Sequence, residues 1–281
     1  MTLEVTHRRR EAVETIHDVV SAMRAIAAGR IQGAQHALAG ARRYEEIVWQ
    51  GLAALPAAAL HLPYSPRGAP TLLVVMMSEQ PLCGPFNQDL LAFVDRRRRE
   101  LRESGPLEIL VVGGRGARLL VSHGIEPTGS LPAAASLHGL RDVVKQLAGL
   151  VGKQYATGQL SAVRVAYNRY QSISEHVPTE TQVLPPDLAP LSSALYKPFH
   201  RYLSDAALLA GLASELAFIS MYRIAADSYA SEQAARLIAM DGATRSTERL
   251  LKDLTELEQR ERQEEITRQV LELIGARFAA I

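Results

Sequence analysis

Residues 231–281 read SEQAARLIAMDGATRSTERLLKDLTELEQRERQEEITRQVLELIGARFAAI, and this stretch decides the architecture. It contains no proline. Apolar or small residues at Leu237, Met240, Thr247, Leu250, Leu254 and Leu257 step by three, four or seven, which lines one seam of a helix. The seam then stops: Glu258–Glu265, EQRERQEE, has no apolar residue. Apolar residues return at Ile266, Val270, Leu273, Ile274, Phe278 and Ile281. Toward the N-terminus the same seam extends back through Ala226, Ile219, Leu212 and Leu208, and no proline follows Pro198. The pattern predicts one helix from about Ser204 to the C-terminus.

The opening of the chain carries a second long seam: Val13, Ile16, Val20, Met23, Ala27, Ala34, Ala41, Val48, Leu52 and Leu55, with no proline before Pro56. A helix of about 50 residues is about 75 Å long, beyond ordinary globular lengths. Gly29, Gly33 and Gly40 weaken it locally and let a partner backbone approach. A linker rich in Pro63, Pro66, Gly68 and Pro70 follows.

Between the two helical ends, strand and helix alternate. Thr71–Ser78 and Leu107–Gly114 read as short buried strands, and Leu160–Tyr170 alternates like a third. Thr179–Leu184 is placed beside it as an edge. Helices are expected at about Asn87–Glu103, after Gly114, and at Leu137–Ala156. This order implies a mainly parallel sheet covered by helices. Pro185, Pro186, Pro190 and Pro198 mark the exit. The chain thus divides into an N-terminal coiled-coil helix (1–60), an α/β domain (70–198) and a C-terminal coiled-coil helix (203–281). Two long helices flanking one domain close most simply as an antiparallel coiled pair. The second is longer by some 20 residues, so its apolar tip projects and needs another surface to bury it.

Composition narrows the function. Net charge is +1 over 281 residues, which does not suggest a nucleic-acid binder. The single cysteine, Cys83, rules out an intramolecular disulfide framework and a zinc site of several thiolates. The eight histidines show no H-x-H or H-E-x-x-H spacing. No metal or cofactor is expected. No apolar run approaches the roughly 20 residues of a membrane span, and the Arg-rich, Glu-containing first 14 residues do not read as a signal or transit peptide. Attachment to a membrane is expected only through partners.

Several segments carry a resemblance. Ser231–Met240, SEQAARLIAM, with Ala243-Thr244, resembles a signature of ATP synthase gamma subunits. Arg262-Gln263 with Ile266-Thr267 looks like that family's RQ-x-x-IT. Ser21-Ala22-Met23 with Ala27-Ala28 is similar to its first helix, and Leu82-Cys83-Gly84 with Phe86-Asn87 to its LCGGFN segment. The resemblance runs in order over essentially the whole chain. It implies a long antiparallel coiled coil of N- and C-terminal helices with an inserted Rossmann-like α/β domain. It also implies a rotor without a catalytic site, one that couples ion-driven rotation of a membrane c-ring to ATP synthesis or hydrolysis. The implied partners are alpha and beta subunits of a catalytic hexamer, epsilon and the c-ring, on the cytoplasmic face of the bacterial inner membrane.

By motif position the resemblance assigns rotor–stator coupling to Met23, Arg236, Arg262, Gln263 and Thr267. The bearing tip falls to Val270, Leu273, Ile274, Phe278 and Ile281. Foot contacts are expected near Arg30 and between Glu215 and Tyr222. Pro81 and Pro85 depart from the usual RGLCGGFN. Glu258, Glu261, Glu264 and Glu265 make the collar acidic, which suggests a divergent, alternate-type complex.

Two other readings stand beside this one. Gly113-Gly114-Arg115-Gly116 after a strand is a conceivable phosphate loop of a nucleotide-handling enzyme, but lacks a Walker lysine and a complete Gly-x-Gly-x-x-Gly. The chain could also be a coiled-coil adaptor with an inert α/β domain. Cys83 reads better as a small buried residue than a nucleophile. Arg96–Arg99 reads better as a solvated charge run than a phosphate or lipid site. Glu264-Glu265, neighbours that point apart on a helix, do not form an acid–base pair.

Overall fold

The computed structural model describes residues 3–56, 60, 68–188, 191 and 202–279, with side chains on the last helix to Ile274. Ile281 and the side chain of Phe278 lie outside the described residues. Helix α1 spans Leu3–Ala53 and stops just short of Pro56, which cannot continue it. Helix α5 spans Asp205–Ala279, 75 residues against 51 for α1. Between them lie β1 (Thr71–Met76), α2 (Phe86–Ser104), β2 (Leu107–Val112), α3 (Gly114–Ser122), β3 (Gly129–Leu131), α4 (Leu137–Ala156), β4 (Ala162–Ser172) and β5 (Glu175–Leu184). By contacts the chain forms two compact units: Ala27–Arg236, and Met1–Ile26 with Leu237–Ile281.

The first unit is built on a five-stranded sheet of order β3-β2-β1-β4-β5. All pairings are parallel except β4 with the edge strand β5. Period-two alternation sorts β1 onto two cores. Leu72, Val74 and Met76 face a layer of α1, α4 and α5, including Leu38, Val144 and Ile224. Leu73 and Val75 face α2 and α3, including Leu90, Val94 and Leu120. Burial on both faces is why β1 from Leu72 and β2 from Ile109 read as unbroken apolar runs. Strand β3 was not expected. Gly129-Ser130-Leu131 has no strand-like pattern of its own and is extended by pairing with Leu110–Val112.

Within this unit α1 and α5 run antiparallel: Arg42 approaches Asp227, Glu45 binds Ser220 and Tyr44 binds Glu215. The buried row of α1 keeps a seven-residue period here, through Ala27, Ala34, Ala41 and Val48, and Leu55 extends it just past the helix end. A second row four residues on holds Ile31, Leu38 and Leu52. From Ile224 to Arg236 every position of α5 is buried. One 18-residue window of α5 has a mean hydropathy of 1.4, enough by length and composition to cross a membrane, and 44% of it is buried within the protein.

The second unit is the coiled pair of the chain ends, again antiparallel. His7 meets Glu258, His17 meets Thr247 and Arg24 meets Asp241. The seven-residue row continues as Thr6, Val13 and Val20, facing a seam that includes Met240, Thr244 and Leu254. The row four residues on is now polar: Arg10, His17 and Arg24. Ile16, expected in the seam, is 53% exposed because that row is offset by four residues rather than three. From Ile266 to Ile274 every position of α5 is exposed.

Candidate coupling site

The buried stretch of α5 is polar as well as apolar. Asp227, Ser228, Ser231, Glu232, Gln233 and Arg236 all lie inside. Ser228 Oγ donates to the Met76 carbonyl at 3.4 Å and Ser231 Oγ to the Asn168 carbonyl at 2.9 Å. The backbone N–H of Tyr170 donates to Asp227 Oδ1 at 3.3 Å. Arg236 is 4% exposed. Its guanidinium binds Glu232 Oε1, one turn back, at 2.7 Å, and reaches the carbonyls of Gln80 and Pro81 at 3.5 Å. Burial raises the Glu232 carboxyl above its ordinary range and outweighs the pull of Arg236. Arg236, expected as a coupling residue, is thus buried and bound to a loop.

That loop, Ser78–Pro85, contains Leu82-Cys83-Gly84 of the LCGGFN-like segment, whose Phe86-Asn87 begin α2. Asn87 holds its start: Oδ1 accepts from Ser78 N at 3.0 Å and Nδ2 donates to Ser78 Oγ at 2.7 Å. Pro85 sits as the N-cap of α2 with φ −79°, which proline adopts without cost, and its carbonyl accepts the Asp89 N–H. Leu82 is the exception, at φ +66° and 52% exposed. A non-glycine residue persists there only where its surroundings over-determine it. Cys83 is buried against Phe86 and Ala235, and burial pushes its thiol up, away from nucleophile chemistry.

The phosphate-loop reading meets a specific obstacle. Glu79 Oε2 accepts the N–H of Gly114, at the start of α3, and that of Ala133, both at 2.9 Å. A carboxylate of the chain itself thus occupies the position that a phosphate would take at a helix N-terminus. The glycines answer a close approach instead. A Cβ at Gly113 would meet the Met77 carbonyl oxygen at 2.3 Å, and one at Gly116 would meet Met77 Cβ at 2.1 Å. The arginine run is likewise engaged: Arg97 with Glu180 and Glu100, and Arg98 and Arg99 with Asp95. Arg96 lies over the Phe93 ring at 5.8 Å.

In the coiled-pair unit Met23 is half-buried, while Arg262, Gln263 and Thr267 are exposed. Thr267 Oγ1 donates to the Gln263 carbonyl one turn back, at 2.8 Å. The collar is less acidic toward a partner than its sequence implies. Glu258 is bound by His7 at 3.0 Å and Arg10 at 2.9 Å, and these contacts hold its carboxyl below the ordinary range. Glu265 pairs with Arg268 at 3.2 Å. Val270, Leu273 and Ile274 are all exposed.

Sequence reasoning missed Glu79, Asn168, Ser231 and Glu232. The four-residue spacing of Glu232 and Arg236 was a usable signal. Nothing local marks Glu79 or Asn168, whose partners lie far away in sequence.

These features define a class: a sheet domain inserted between two long helices that pair antiparallel, with a polar lock on the second helix and an apolar end on it. The family model described as ATP synthase matches residues 2–280. The chain is 32% identical over 294 aligned positions to the ATP synthase gamma chain of Granulibacter bethesdensis, covering 98% of each. It is 31% identical to that of Fuscovulum blasticum, covering 94% of each. A chain in the structure of Euglena gracilis mitochondrial ATP synthase, OSCP/F1/c-ring, has the same fold, with a TM-score of 0.67 at 15% identity, covering 99% of this chain and 94% of that one. The chain belongs to the ATP synthase gamma-chain family.

Proposed function

We propose that the chain is the central rotor shaft of a rotary ATP synthase. It couples ion-driven rotation of a membrane c-ring to ATP synthesis or hydrolysis at beta subunits, and has no catalytic site of its own. One observation carries this reading: relatives named ATP synthase gamma chain align over nearly the full length of both chains. An asymmetric shaft biases each surrounding subunit only through contacts that differ with angle. Met23, Arg262, Gln263 and Thr267 supply polar and half-buried contact groups, and Arg236 acts through the loop it holds.

Val270, Leu273, Ile274, Phe278 and Ile281 form the tip, where apolar attraction lacks direction and need not trap one angle. The alpha and beta subunits surround it, and epsilon and the c-ring bind its foot. The ion is a proton or sodium, and the assembly lies on the cytoplasmic face of the inner membrane. The pairing of Glu258 and Glu265 within the chain offsets part of the collar's acidity, and so weakens the case for an alternate-type complex.

Co-expression with alpha and beta subunits tests the reading. A purified complex whose ATP hydrolysis is altered by deleting 270–281 is the expected result. Failure of the full-length chain to assemble overturns it.

A further inference from the structure

A rotor must resist twist where its helix meets the body that receives the torque. Apolar packing alone resists it poorly, because its attraction has no direction; hydrogen bonds and ion pairs do have direction. Within the sheet-containing unit, the bonds from α5 to the sheet and its loops concentrate in one short stretch. Asp227 accepts from Tyr170 N, Ser228 donates to Met76 O, Ser231 donates to Asn168 O, and Arg236 reaches Gln80 O and Pro81 O. At about 100° per residue, Ser231, Ser228 and Arg236 lie about 40°, 100° and 180° around the helix from Asp227. Rotation in either sense stretches one of them.

The receiving side is fastened too. Glu79 ties the start of the loop to the N–H groups of Gly114 and Ala133, and Asn87 ties Ser78. Asn168 Nδ2 in turn holds the Phe86 carbonyl at 2.8 Å, so β4, α2 and the loop are bonded to one another as well as to α5.

We propose that Asp227–Arg236 is a torsional key through which torque passes between α5 and the α/β domain, with Ser231 and the Glu232–Arg236 pair as its positioning residues and the Gln80–Pro85 loop as its seat. The function of the key rests on the rotor reading; its geometry does not.

The only cysteine reports on the seat directly, since Cys83 is 4% exposed and packs on Ala235. Maleimide labelling is followed on the full-length chain and its Arg236→Gln, Arg236→Lys and Ser231→Ala/Arg236→Gln variants, and unlabelled samples of each are assembled with alpha, beta and the membrane sector. ATP hydrolysis and ATP-driven ion pumping are measured on each complex. Val151→Ala, which removes buried volume on α4, serves as a packing control. In the double variant Cys83 labels about tenfold faster, the size expected when a charge-assisted hydrogen bond is lost. Pumping per ATP hydrolysed falls about fivefold or more. Arg236→Lys, which keeps the charge opposite Glu232, recovers part of both, and Val151→Ala leaves the pumping ratio unchanged.

An unchanged pumping ratio in assembled double-variant complexes, whatever the labelling, overturns the key. So does an equal loss in the control, or failure of Arg236→Lys to recover more of the ratio than Arg236→Gln. Failure of the unaltered chain to assemble is different: it removes the rotor reading and the key's function together, while the labelling still measures the seat.

Discussion

The two units use the same pair of helices in opposite ways. In the coiled pair of chain ends, α1 offers one narrow buried row and one polar row. Its cross-helix bonds, Arg24–Asp241 among them, sit at the rim. In the sheet-containing unit both rows of α1 are largely apolar, and α5 is buried on every side from Ile224 to Arg236, with Arg236 paired to Glu232 inside while Tyr229 OH and Gln233 Oε1 have no hydrogen-bond partner among the described residues. The first arrangement is held by a seam, the second by a lock. The same kind of contact, an arginine to a carboxylate, therefore has a different energetic weight in each place, because water screens one pair and is excluded from the other.

The largest expected effect tests that difference. Glu232→Ala leaves the Arg236 guanidinium buried without its carboxylate and costs about 3 kcal/mol. Arg24→Ala removes a pair whose side chains are 45% and 38% exposed, and costs about 0.5 kcal/mol. Native-state hydrogen exchange, read segment by segment, measures both. Equal costs would erase the distinction between seam and lock.

A smaller effect sharpens the account of the seam. Thr6 is fully buried on the seven-residue row, and its hydroxyl has no hydrogen-bond partner among the described residues. Thr6→Val keeps the shape and removes the orphaned hydroxyl. It should stabilise the coiled pair by about 1 kcal/mol, seen as slower exchange in 3–26 and 237–262. Destabilisation would mean that the hydroxyl is satisfied in solution.

Seam and lock were not equally legible in the sequence. The long helices, the two central strands and α4 were visible because one-sided or two-sided burial leaves a period or a continuous apolar run. Thr6 was passed over because it is polar, although it keeps the period. The lock left no period at all: a helix buried all round alternates nothing, and Asp227, Glu232 and Arg236 look like surface residues until a domain closes over them. The family signature covers that same stretch, so resemblance marked Arg236 where pattern reading was blind. It did not show that its guanidinium turns inward to a loop more than 150 residues earlier. Glu79, Asn168 and β3 depend on partners distant in sequence, and no local pattern announces them.

Acidity should separate the two regions by sign, with the smallest magnitude. Asp227 and Glu232 titrate above their ordinary values of 3.8 and 4.5, mainly because burial penalises the charged form. Their ionisation therefore opposes folding. As pH falls through their folded pKa values toward the ordinary ones that penalty is relieved, and the lock gains stability until the unfolded chain protonates as well. Glu258 is shifted the other way, chiefly by its hydrogen bond to His7 and also by Arg10. Its contribution is complete above 4.5 and is lost as pH falls below that value through its folded pKa. Glu180, also lowered, by Arg97 and Arg164, acts only in that lower window. Hydrogen exchange between pH 7 and 4.5 should thus show residues 224–236 becoming better protected, after correction for the intrinsic rate, with Asp227→Asn flattening the trend. Below 4.5 the segment around Glu258 should lose protection, with Glu258→Gln flattening that. A common slope in both segments across the upper window would show that burial does not set the titration of the lock.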